Sequence, residues 1–135
     1  MFEKKLVAVM NEKIEAGVVM NALAHSSLAF GAEVGKEPLH LVNYVDAEGN
    51  RHLSSGMPFI ILKSNSNKIR ELRKAALNSG VQFVDFIHTM TGDTYIEQLE
   101  RTKNTNEADF IYYGIVLFGD RDKVSELTKK FSLWK

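Results

Sequence analysis

The sequence predicts an α/β layered fold, and three observations carry that prediction. Short apolar runs recur along the chain, at Leu6–Met10, Phe59–Leu62, Val81–Ile87 and Phe110–Phe118. Stretches with helical spacing lie between them, several closed by a glycine or opened by a capping residue. The first run is apolar without alternation, as a central strand covered on both faces would be. Strands interleaved with helices then stack as layers. At 135 residues the chain is long enough for one domain with a continuous core, so a single domain over 1–135 is expected.

Leu6–Met10 opens the order as a buried strand. Gly17 to Phe30 is apolar nearly all round, which predicts a helix buried on most sides with Gly31 as its stop. Gly31–Lys36 imitates a phosphate loop, but with one residue too few between its glycines and Glu37 where Ser or Thr is needed. Pro38 breaks any helix there. Leu41–Val45 and His52–Leu53 flank Asp46–Asn50 and predict a hairpin with a polar turn. Phe59–Leu62 is the second buried strand. A helix follows at 67–78, with Ile69, Leu72 and Ala76 on one face and Gly80 beyond its end. After the Val81–Ile87 strand, Thr94 and Glu97 form a capping box that opens a short helix, expected to turn Ile96 and Leu99 inward. Phe110–Phe118 is the strongest strand signal, and a final helix after Asp120 carries Val124, Leu127 and Phe131 at core spacing.

Composition removes several classes of function. The 17 basic and 17 acidic residues leave no net field for nucleic acid or anionic lipid. Lys68, Arg70, Arg73 and Lys74 make one helix basic, yet no aromatic stacking pattern accompanies them, so a solvated face is expected. There is no cysteine, which excludes thiol nucleophiles, disulfides and thiolate metal sites. The four histidines, His25, His40, His52 and His88, lack metal-binding spacing, so neither metal nor cofactor is expected. Met1–Lys5 runs into the first strand without a signal-peptide pattern, and no run approaches a membrane span. A cytoplasmic protein without a membrane partner is the expectation.

Chemistry has two places to sit. Asn21 and His25 stand one turn apart on an otherwise apolar helix, near the end of the first strand. In open α/β sheets that end is the usual ligand crevice. An imidazole can act as base or donor near neutral pH, and an amide can hold a carbonyl. The structural alternative is an Asn bonded to backbone and a His half-buried at an edge. Asp85, His88, Thr89, Thr91, Asp93 and Thr94 cluster between a strand and a helix, where functional side chains gather, but also where ordinary turn formers and caps occur. His25, Asn21 and Thr91 are the catalytic candidates. Asn11, Lys13, Asp85, His88, Thr89 and Thr94 are the ligand-binding ones. His25, Ser26 and Ser27 are adjacent on a helix and cannot face one another as base and nucleophile.

Read together, Lys5–Val9, Gly17, Ala22 and His25 resemble the opening of the type II peptidyl-tRNA hydrolases. Tyr113–Gly119 and Leu127–Leu133 resemble that superfamily's closing strand and helix. A nearer resemblance, from about Lys5 to Leu133, is to the domain of unknown function 2000 family. It rests on Asn21–Ala24, Val45–Asn50, Pro58–Leu62, Thr94-Tyr95 and Gly114–Gly119. The resemblance implies a three-layer α/β/α sandwich with a mixed, largely parallel sheet of about four strands, peptidyl-tRNA hydrolase II-like. The departures matter as much. Asn11 and Lys13 replace the hydrolases' arginine and aspartate, Val18-Val19 replaces their lysine turn, and Asp85, Thr89, Thr91 and Thr94 fall out of register with their acidic and threonine-containing loop. The fold is expected to transfer and the peptidyl-tRNA hydrolase activity is not. Three functions follow: a site that binds, or hydrolyses, a small amide- or carbonyl-type ligand; a divergent peptidyl-tRNA hydrolase; or a non-catalytic homodimeric interaction domain. The expected partners are a small molecule and a second copy of the chain.

Overall fold

A computed structural model of the chain describes residues 2–135; Met1, where the N-terminal stretch begins, lies outside the described residues. In chain order the elements are β1 (Lys4–Asn11), α1 (Ala16–Val34), β2 (Leu41–Val45), β3 (Arg51–Ser55), β4 (Phe59–Ser64), α2 (Ser66–Ser79), β5 (Gln82–Ile87), α3 (Tyr95–Lys103), β6 (Tyr112–Asp120), α4 (Arg121–Thr128) and β7 (Ser132–Leu133). Five strands form one sheet in the order β5-β6-β1-β4-β7, and β2 and β3 form a separate two-stranded ribbon.

The sheet corrects the expectation of four largely parallel strands. Only β1 and β4 are parallel; β6 runs antiparallel between β1 and β5, and the short β7 adds a fifth strand against β4. An apolar run reports that both faces are covered, whatever the direction of its neighbours. Both faces are indeed covered. Period-two alternation sends Leu6, Ala8 and Met10 toward Val19, Ala22 and Phe30 of α1, while Val7 and Val9 meet Ile69, Leu72 and Ala76 of α2 and Val124 of α4. Because β6 intervenes antiparallel, β5 points the same way as β1 and β4. The C-terminal ends of all three therefore share one sheet edge.

The helices differ from the sequence expectation in three places. Helix α1 passes through Gly31 and ends at Gly35, whose φ of 93° is the conformation that favours glycine. Inside the helix Gly31 costs only about 1 kcal/mol relative to alanine. Nor is α1 buried all round: the sheet takes Val19, Ala22, Ser26 and Phe30, and Met20 and Leu28 face outward. Helix α3 opens on the expected capping box, with Thr94 and Glu97 satisfying each other's backbone. Its Ile96 and Leu99, however, are 59% and 64% exposed. Polar groups take the inward face instead: Gln98 Nε2 donates to the Gly92 carbonyl at 2.6 Å, and the Thr102 and Thr89 hydroxyls pair at 2.7 Å. Finally, Phe131 lies past the end of α4, though it still packs on the core. Helix α2 keeps its expected face, and Gly80 closes it in the left-handed conformation.

Candidate functional site

Met10, Gly114 and Phe86 lie side by side across β1, β6 and β5. A methyl group at Gly114 would overlap the thioether end of Met10, so the missing side chain lets Met10 lie flat across β6. Helix α1 packs on the same face of the sheet, through Val19, Ala22 and Phe30. The segment after β5 turns away through a 3-10 turn at His88–Met90 and leads into α3. Between the two opens a crevice of about 820 Å³.

Helix α1 and the Glu15 that precedes it line one wall, with Val18, Asn21, His25 and Ser26; Phe86, Met90, Thr91, Tyr95 and Gln98 line the other. Val18, Asn21 and His25 stand at i, i+3 and i+7, so one helical stripe delivers them to the opening. Asn21 and His25 are exposed to it, and the His25 ring lies 6.2 Å from that of Phe86. Ser26 is buried, and its Oγ has no hydrogen-bond partner. An orphaned buried hydroxyl is uncommon and calls for an explanation. Thr91 Oγ1 donates to the His88 carbonyl at 2.7 Å, which leaves its lone pairs as acceptors.

Arg101 of α3 fixes the far wall. Its guanidinium donates to the Thr91 carbonyl at 2.6 Å, to the Thr89 carbonyl at 3.2 Å and to Asp93 Oδ2 at 2.9 Å. The loop it holds includes Gly92 and Asp93 at φ of 70° and 55°. Two consecutive left-handed residues, one of them not glycine, need such an anchor.

The three catalytic candidates, Asn21, His25 and Thr91, thus converge on one opening. The six ligand-binding candidates are not among its lining residues. Asn11 is buried, with Nδ2 donating to the Tyr112 carbonyl at 2.9 Å and Oδ1 accepting from Lys13 N–H at 2.9 Å. Lys13 is exposed in the turn after β1. Asp85 faces α2, where it pairs with Arg73 at 2.7 Å. His88 Nδ1 accepts from the Ile111 N–H at 3.0 Å, Thr89 is buried against Thr102, and Thr94 caps α3. The sequence reading missed Glu15, Ser26, Phe86, Met90, Tyr95 and Gln98. Ser26 was within reach, since it follows His25 on the same helix. Tyr95 and Gln98 depended on how α3 is turned.

Among the described residues there is no cluster of three or more metal-ligating side chains, and no helix is long and apolar enough to cross a membrane. The basic face of α2 is largely spoken for. Arg70 donates to Glu107 and to the Phe110 carbonyl, and Arg73 to Asp85. Burial works against the Arg73 cation, but the Asp85 hydrogen bond and charge outweigh it and raise its pKa.

No curated protein matches this chain. Among solved structures, it is similar to a protein of unknown function from Agrobacterium tumefaciens strain C58, with 19% identity, a TM-score of 0.85 and 100% of both chains covered. At that identity the likeness is one of fold. The model of the DUF2000 family, described as a protein of unknown function, matches residues 4–135. With nearly the whole length matched, the chain belongs to the DUF2000 family.

Proposed function

We propose that the crevice between α1 and the Thr91–Tyr95 segment binds a small ligand bearing an amide or carbonyl group. The observation that carries this reading is the convergence of Asn21, His25 and Thr91 on one opening beside the orphaned Ser26 hydroxyl. Asn21 and His25 supply donors for a carbonyl oxygen, Thr91 an acceptor for an N–H, and Ser26 a hydroxyl that gains a partner when a ligand enters. Phe86, Met90 and Tyr95 give the ligand's apolar part a surface, the usual make-up of a small-molecule pocket. Hydrolysis at this site takes water as nucleophile and His25 as its base, because Ser26 sits beside His25 on the helix and not across from it.

We further infer that the family stands with the type II peptidyl-tRNA hydrolase-like superfamily, without its activity, and that the protein works in the cytoplasm. The likeness of β1, α1 and β6 to that superfamily supports the first point. Val18, which stands in place of the lysine-containing turn, lines the crevice with an isopropyl group. The engaged arginines of α2 likewise argue against a nucleic-acid partner. The test is a panel of primary amides, acyl esters and N-acyl amino acids, followed by amide chemical-shift perturbation. Shifts at Asn21–Ser26 and Met90–Gln98 that vanish in Asn21→Ala and His25→Ala are expected. Ligands that shift other surfaces, or that bind both variants as well as the native chain, overturn the reading.

A further inference from the structure

Where β4 passes into α2, another pocket of about 530 Å³ opens, on the face of the sheet opposite the α1 crevice. Alternation along β4 puts Ser64 on the same side as Leu62, under the start of α2. Ser64 is only 6% exposed, yet its hydroxyl has no hydrogen-bond partner among the described residues. A buried polar group in that state calls for a partner. Beside it Asn65 caps the 14-residue α2, its Oδ1 accepting from the Lys68 N–H at 3.0 Å. The cap satisfies one of the four amides that a helix start leaves without intrahelical acceptors. The rest give this end of the pocket a partial positive charge. Three lysines add to it. Lys63, Lys68 and Lys130 line the pocket and form no ion pair among the described residues, whereas the nearby Lys74 and Lys129 are paired with Glu71 and Glu126. Two carboxylates, Glu12 and Glu71, also line it, and Glu71 reaches toward Lys74 at 3.9 Å.

We propose that this pocket binds a small phosphate monoester. Its phosphate rests against Ser64 and the start of α2, and its apolar end against Leu72, Leu127 and Phe131, which line the same pocket. A phosphate monoester carries about 1.5 to 2 negative charges near pH 7 and three strong acceptor oxygens. That is enough to take the Ser64 hydroxyl, a helix-start amide and the lysines together. A carboxylate, with two oxygens and one charge, leaves donors unused. The position agrees with the chemistry. β1 and β4 are parallel neighbours, and the pocket lies past their C-terminal ends, where Glu12 and Asn65 leave the sheet. Ligands of open α/β sheets bind at such ends. One pocket for one phosphate is not a track for a nucleic-acid backbone.

This inference does not rest on the crevice, since none of these residues lines it. Phenyl phosphate is the probe, followed by amide chemical shifts and by calorimetry at physiological salt. It should shift the amides of Ser64–Lys68 and of Leu127–Phe131 saturably, and inorganic phosphate should shift the first group alone. Benzoate, with one charge fewer, should bind at least about tenfold more weakly than phenyl phosphate. Ser64→Ala should weaken phenyl phosphate about tenfold, the worth of one charge-assisted hydrogen bond, while circular dichroism stays unchanged. Lys130 is exposed, so Lys130→Gln leaves the fold alone and should weaken binding roughly twofold to fivefold. Lys74→Gln, outside the pocket, should leave it unchanged. Phenyl phosphate that leaves Ser64–Lys68 unmoved at millimolar concentration overturns the proposal. So does binding indifferent to both Ser64→Ala and Lys130→Gln, or weakened as much by Lys74→Gln, which would mean a diffuse attraction to surface lysines. Benzoate held as tightly as phenyl phosphate overturns it too.

Discussion

Asn11 and Asn21 carry the same amide into opposite environments. Asn11 is buried and uses its amide on the Tyr112 carbonyl and the Lys13 N–H; Asn21 stands open at the crevice. Substituting Asn11 by alanine should cost about 1–3 kcal/mol, the penalty for stranding buried partners. Asn21→Ala and His25→Ala should each stay within about 0.5 kcal/mol of the native chain. Urea unfolding of the three variants checks the contrast. The sequence placed Asn21 and His25 together because helical spacing is local. It misplaced Asn11 because that side chain's partner lies 101 residues away. Tyr112 offers a second check at this scale. Burial foremost, then the 2.8 Å hydrogen bond to Glu107, push its phenol up to about 12. A raised folded pKa means full stabilisation below pH 10, lost as pH climbs from 10 toward 12. At about 1.4 kcal/mol per unit the loss is on the order of 2–3 kcal/mol. Tyr112→Phe should be less stable than the native chain at pH 8, and the gap should narrow steadily above pH 10.

At the scale of elements, α3 is held by polar contacts and not by its apolar residues. Arg101→Ala removes three donors from the loop while leaving the capping box intact. Hydrogen exchange of the 88–94 amides should quicken by at least tenfold, with the core strands unchanged, because the loss is local. Equal quickening everywhere would mean that Arg101 supports the whole fold. This explains what could be read beforehand. The capping box is a four-residue pattern and was legible. Which face of α3 turns inward depends on Thr89 and on the left-handed loop, and neither announces itself in the sequence. Asp85, His88 and Thr89 are near one another in sequence, yet alternation along β5 sends Asp85 to the α2 side, away from the crevice.

For the molecule as a whole, zero net charge and arginines already engaged predict weak binding to tRNA. Its affinity should be no tighter than the roughly 10⁻⁴–10⁻⁶ M of non-specific contacts at physiological salt. Fluorescence anisotropy with labelled tRNA checks this; nanomolar binding would reverse the reading of α2. The layers of the fold were legible because buried runs and amphipathic helices are local patterns. Strand direction was not, since no residue in Tyr112–Phe118 reports whether its neighbour runs with it or against it.

That direction has a consequence for biosynthesis. The central strand, β1, is made first, yet it is flanked by residues 59–64 on one side and 114–120 on the other. While the ribosome is still short of Tyr112, Leu6–Met10 has one edge bare and lacks the apolar neighbours that β6 and α4 supply. Contacts of such long sequence separation slow folding, and a nascent apolar edge is prone to the wrong partner. The sheet can close only when the last fifth of the chain has emerged, so truncation before β6 should yield an aggregating fragment and not a smaller folded unit.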